Sequence, residues 1–99
     1  MNKFLITAML ALAAPAVQAQ STEQAAILTR NEQYEDAAKV LNAMKSKKPS
    51  AVIHYSEGWN FLKADEIPEA LAAFEAAFKI GPKTPEGLIG MGIKMLWEG

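Results

Sequence analysis

The apolar pattern of this chain repeats, and that constrains its fold more than anything else in the sequence. Ala37 recurs as Ala70, Leu41 as Phe74 and Pro49 as Pro82, and Gly58 recurs as Gly92 at nearly the same spacing. Self-similarity at a fixed period of this kind marks a stack of supersecondary units. Each unit is too small to bury its own apolar face and is covered by its neighbours. The unit here reads as helical. No stretch alternates with a period of two, and β-branched residues are few. Apolar residues fall instead at steps of three and four, as in Ala37, Ala38, Leu41 and Met44.

Start and stop signals divide the pattern into helices. Ser21-Thr22-Glu23-Gln24 has the form of a capping box and opens a helix at about 22–31. A second helix is expected at about 35–46, with Lys45, Lys47 and Lys48 crowding its end before Pro49 stops it. Ser50 caps a third at about 51–63. Pro68 fits the first turn of a fourth, where its missing N–H costs nothing. That helix carries Leu71, Phe74, Ala77 and Phe78 on one face and ends at Gly81-Pro82. Thr84-Pro85-Glu86 starts a fifth. The expected fold is all-α: an α-solenoid of about two and a half helix–turn–helix units, at 21–50, 51–84 and a partial 85–99, in one domain over 20–99.

The segment from Gly58 to Phe74 resembles the heart of a tetratricopeptide repeat. Gly58 stands at the family's small residue, where paired helices touch most closely. Phe61 stands at its tyrosine, Ala70 and Phe74 at its Ala-x3-Phe pair, Ala77 at its later small residue and Pro82 at its closing proline. Two positions depart: His54 replaces the usual tryptophan and Glu57 the usual leucine. The first unit matches at Ala25, Tyr34, Ala37, Leu41 and Pro49, and its polar Ser21 and Gln24 suit a unit with no neighbour before it. The third matches at Met91 and Gly92. Ankyrin repeats have almost the same period but need a Thr-Pro-Leu-His turn, which the chain lacks.

The resemblance implies a repeat core of Ala37, Leu41, Gly58, Phe61, Ala70, Phe74, Ala77, Pro82 and Gly92. It also implies that the first helix of each unit lines a concave groove. By position, that groove takes Thr22, Ala26, Thr29 and Arg30 from the first unit and Val52, Tyr55, Trp59, Leu62 and Lys63 from the second. Ile89, Ile93, Leu96 and Trp97 come from the third. Val52, Tyr55, Trp59 and Leu62 lie at steps of three, four and three and so share a helical face. Tryptophan and tyrosine on a groove wall anchor apolar or aromatic peptides, although the same stripe could simply be core. The implied function is a non-catalytic scaffold or adaptor that binds a protein or peptide segment. Some members of the family hold a terminal carboxylate in a clamp of Lys and Asn. Arg30, Asn60 and Lys63 are the near candidates for one, and the clamp is not expected here.

Composition excludes other classes. The chain has a formal net charge of -1, so it lacks the excess of Lys and Arg that a nucleic-acid binder needs. It has no cysteine, hence no disulfide, no thiolate nucleophile and no lipid-modified cysteine. The N-terminus has the layout of a secretory signal over 1–19: Lys3, an uncharged run from Phe4 to Ala14, a break at Pro15, and Val17-Gln18-Ala19 as the cleavage site. The run is too short for a ~30 Å bilayer core. The expectation is an exported, periplasmic protein that keeps no membrane insertion after cleavage near Ala19.

Catalytic and metal signals are thin. His54 with Glu57 is only a pair, short of a metal site. Asp65, Glu66 and Glu69, like Glu35 and Asp36, sit at the start of a second helix, where the dipole favours acids. Gly87, Gly90 and Gly92 follow no strand and read as helix packing rather than a phosphate loop. No catalytic residue, metal or cofactor is expected. A small enzyme using His54 and the acids is the competing class, and a membrane-active peptide built on the last helix is a third.

That last helix is the odd one. Leu88, Ile89, Met91, Ile93, Met95, Leu96 and Trp97 surround it, although an end helix should carry a polar outer face. Either the chain is the N-terminal part of a longer repeat protein, or a partner covers this end. A homodimer through Met91, Met95 and Trp97 is the economical form of the second reading.

Overall fold

The computed structural model describes residues 21–99, and the targeting segment expected over 1–19 lies outside them. The described residues form five helices and no strand. They are α1 (Thr22–Arg30), α2 (Tyr34–Lys47), α3 (Ala51–Lys63), α4 (Ile67–Ile80) and α5 (Pro85–Glu98). Side-chain oxygens cap the odd-numbered helices. Ser21 Oγ accepts from the Gln24 N–H at 3.1 Å, Ser50 Oγ from Ile53 at 3.3 Å and Thr84 Oγ1 from Gly87 at 3.0 Å. None of the helices is long and apolar enough to cross a membrane.

The even-numbered helices have no side-chain cap, because the turns before them already fix their entry. After α1, the Gln33 N–H donates to the Leu28 carbonyl at 2.8 Å and the Glu32 N–H to Thr29 at 3.0 Å. After α3, the Glu66 N–H donates to Phe61 at 2.9 Å and the Asp65 N–H to Leu62 at 3.1 Å. Both are Schellman closures, and both place a non-glycine residue in the left-handed region: Glu32 at φ 61° and Asp65 at φ 63°. The two turns are the same device, one repeat period apart.

Each helix packs on the next, α1 also packs on α3, and α3 on α5, whereas α2 and α4 do not meet. The odd-numbered helices therefore form one layer and the even-numbered helices a second. In the first hairpin, Ala25, Ala37, Val40 and Leu41 are buried and pack with Ile53, flanked by Leu28 and Met44. In the second, Phe74 is fully buried beside Ala70, Ala73 and Ala77. Its ring lies against Gly58 so closely that a Cβ there would sit 2.6 Å from Phe74 Cδ1.

Three positions expected in the core differ. Pro82 is exposed, and Gly81 before it is buried, its Cα hydrogens facing the Ala51 methyl group and Thr84. Phe61 is half-buried, since the face it occupies is covered less fully than the one Gly58 presents to α4. Gly92 faces open space: a Cβ there would meet no atom of another helix within 4 Å. The contacts belong to Gly87, seated on the Gly81 carbonyl, and Gly90, whose Cβ would lie 3.2 Å from the Phe74 carbonyl oxygen. Gly58 faces the helix that follows it, so the matching face of α5 has no described helix against it. Gly87 and Gly90 face the helix before.

Candidate functional site

A cavity of about 310 Å³ lies between α1 and α3. Ala26 and Thr29 form its α1 wall, Tyr55, Ser56 and Trp59 its α3 wall, and the exposed Arg30 and Lys63 complete the lining. Its origin is a size difference between equivalent positions. Ala26 stands one repeat period before Trp59, so α1 carries a methyl group where α3 carries an indole.

The walls are held from behind. Thr29 Oγ1 donates to Asn60 Oδ1 at 2.8 Å, a buried bond between α1 and α3, and Asn60 Nδ2 donates to the Tyr34 carbonyl at 2.9 Å. A buried polar group must find a partner or forfeit its solvation, so this chain of bonds fixes three helices together. The aromatic wall is backed by Phe74. Tyr55 and Trp59 meet edge to face with centroids 6.3 Å apart, and their centroids lie 5.9 and 6.0 Å from that of Phe74.

Of the residues expected to line a groove, Ala26, Thr29, Arg30, Tyr55, Trp59 and Lys63 come together here. Val52 and Leu62 do not, and neither do Ile93 and Trp97 on α5, nor Thr22, Ile89 and Leu96. Ser56 joins the lining although apolar spacing does not point to it. The wetted stripe of α3 runs Val52, Ser56, Trp59, Lys63, in steps of four, three and four, rotated slightly from the stripe that apolar spacing picks out. Polarity hides Ser56, yet its hydroxyl donates back to the Val52 carbonyl at 2.9 Å. The Thr29 hydroxyl is likewise committed within the protein. The α5 residues occupy matching positions one unit on: Ile89 follows Tyr55, Ile93 follows Trp59 and Trp97 follows Lys63, all at one common spacing.

Charge is uneven along this layer. Neither Arg30 nor Lys63 has an acidic partner among the described residues. A few charges elsewhere are paired. Glu57, 9% exposed, receives Lys45 Nζ at 2.7 Å and lies 3.2 Å from His54 Nδ1. The carboxylate thereby ties α3 to α2. Among the described residues no three His, Cys, Asp or Glu side chains form a metal-binding group. At the α4–α5 seam, Glu75 lies 3.0 Å from Lys79 and 3.4 Å from Lys94. The hydrogen bond from Lys79, then its charge, then Lys94, hold the Glu75 carboxyl below the usual carboxylate range. The hydrogen bond to Glu98 chiefly raises Lys94, with burial opposing it and Glu75 adding to the rise.

No protein-family model matches the chain, and no curated protein or solved structure does either.

Proposed function

We propose that this chain is an exported, non-catalytic interaction module of tetratricopeptide-like repeats that binds a peptide or protein segment along its odd-numbered layer. One observation carries the reading. The cavity between α1 and α3 has the size of a small-ligand site, apolar and aromatic walls, and no constellation of acid, base and nucleophile within it. The repeat assignment is supported by the two matching Schellman turns and by the Gly58–Phe74 contact. Export is supported by the Lys3 to Ala19 pattern. A peptide library displayed against the folded chain tests the binding. Selected sequences should compete for one site and lose affinity when Trp59 is replaced by alanine, and selection of none would sink the reading. Mass spectrometry of the exported protein should find a start near Gln20, and an intact Met1 on a membrane-bound product would defeat the localisation.

A second reading is favoured by the surface of α5. Met95 is 63% exposed, Leu96 83% and Trp97 54%, and Gly92 has open space beside it. Apolar exposure on this scale marks an interface. Two copies stacked through Met91, Met95 and Trp97 would cover it. Sedimentation should show a dimer at micromolar concentration that Met95→Glu weakens, and a monomer throughout that range would refute it.

A further inference from the structure

The cavity between α1 and α3 is more apolar than the residues that surround it. Six of its seven lining residues carry a polar group, yet the surface it exposes is almost wholly carbon. Local hydrogen bonds make it so. Thr29 Oγ1 spends its hydrogen on Asn60 Oδ1 at 2.8 Å, and Ser56 Oγ spends its own on the Val52 carbonyl at 2.9 Å. Neither hydroxyl has a proton left for a ligand. The backbone N–H groups of both walls are committed within α1 and α3. Arg30 and Lys63, both exposed, give the lining their methylene stems while their charged heads stay in water. A group that needs a hydrogen bond therefore loses its water on entering and gains no partner in return. A hydrocarbon pays no such penalty, and it gains contact with the rings of Tyr55 and Trp59, held edge to face on Phe74.

Resting on the peptide-binding reading above, we infer that the group seated between α1 and α3 is an aromatic ring without a hydrogen-bonding atom, a phenylalanine side chain of the bound segment. An apolar cavity of ~150 Å³ holds a benzene. The volume of about 310 Å³ found here takes a phenyl ring with its Cβ and the adjoining backbone. The ring enters over the Ala26 methyl group, where α1 leaves a gap that α3 fills with an indole one repeat period later. Its edge and face meet Tyr55 and Trp59, and such contacts favour a ring over an aliphatic side chain of similar bulk. Charge takes no part in the choice.

NMR titration of the whole chain tests this, read at the indole N–H of Trp59, with that of Trp97 on α5 as the internal control. Three short uncharged peptides, blocked at both ends, differ only in a central phenylalanine, 4-pyridylalanine or leucine. Pyridylalanine has the shape of phenylalanine but carries a ring nitrogen, neutral in mildly alkaline buffer, that needs a donor. The phenylalanine peptide should move Trp59 and leave Trp97 in place. It should bind about tenfold more tightly than the pyridylalanine peptide and severalfold more tightly than the leucine peptide. Raising the salt should not weaken it. Ala26→Phe, at an exposed position of α1, should fill the gap and abolish the shift, with circular dichroism confirming that the variant is folded. Equal binding of the three peptides, or loss of binding in salt, would overturn the inference while leaving the groove reading intact. Toluene moving Trp59 where no peptide does would uphold the chemistry of the cavity and remove the peptide reading. No shift with the peptides or with toluene would remove both.

Discussion

The two helical hairpins use the same turn and the same helix order, yet they fill the space between their helices differently. In the first, Ala25 faces a position held by Leu41. In the second, the equivalent positions are Gly58 and Phe74, each one repeat period further along. Removing a methyl group from one helix makes room for a ring on the other, so the packed volume is conserved while its division changes. The consequence is local. Phe74 reaches through to Tyr55 and Trp59 and stiffens the aromatic wall of the cavity, whereas Leu41 supports no such wall. The lesson is that two hairpins of like backbone can differ in whether they carry an aromatic wall, by moving a few atoms between facing positions.

Deleting the ring should have the largest effect. Phe74→Ala should cost ~3–5 kcal/mol, measured by urea unfolding, against ~2–5 kcal/mol for Leu41→Ala. A smaller loss at Phe74 than at Leu41 would break the comparison. Next, Gly58→Ala should cost ~1–3 kcal/mol, because the new methyl group meets the Phe74 ring. Adding Phe74→Leu recreates the first hairpin's pair within the second and should restore at least half of that loss. Independent, additive effects would show that the two sites do not share volume.

A subtler contrast lies in the turns. Asp tolerates the left-handed region better than Glu does. Glu32→Gly should therefore gain ~0.5 kcal/mol in thermal stability and Asp65→Gly almost nothing, the relief of strain being offset by glycine's greater freedom when unfolded. Equal gains would mean that the two turns are strained alike.

The smallest effect is electrostatic. Glu75 has its carboxyl held down by Lys79 and Lys94, whereas the first hairpin has Asn42 at the equivalent place. A carboxyl depressed in the folded state adds stability above its unfolded value, and that stability is lost as pH falls through the folded one. The melting temperature should fall on acidification below the ordinary carboxylate range, and slightly less so in Glu75→Gln. The difference is small because the pair is open to solvent. Identical acid profiles would remove Glu75 from the account.

Helices, caps and turns are legible in the sequence because they depend on near neighbours. Ser50, Thr84 and Pro68 act within a turn of their own position, and the third helix begins and ends where its signals stand. The site is legible in part. Arg30, Tyr55, Trp59 and Lys63 follow from position within a repeat. Ser56 does not, because its polarity disguises the stripe it occupies. Gly92 reads as a contact because it aligns with Gly58, but a glycine's role is set by the helix across from it. For Gly58 that helix is α4, and no described helix stands there for Gly92. Glu57 is visible as a departure, while its partner, Lys45 reaching over from α2, is a fact of three dimensions.

The missing contact between α2 and α4 has a mechanical consequence. The stack is continuous along α1, α3 and α5 and interrupted on its other side, so it resembles a leaf spring with one unbroken blade. Bending that opens or closes the gap between α2 and α4 breaks no contact between those two helices. Curvature in such a stack follows from a small rotation per unit. The Thr29–Asn60 bond lies on the seam of the blade and ties α1 to α3 there.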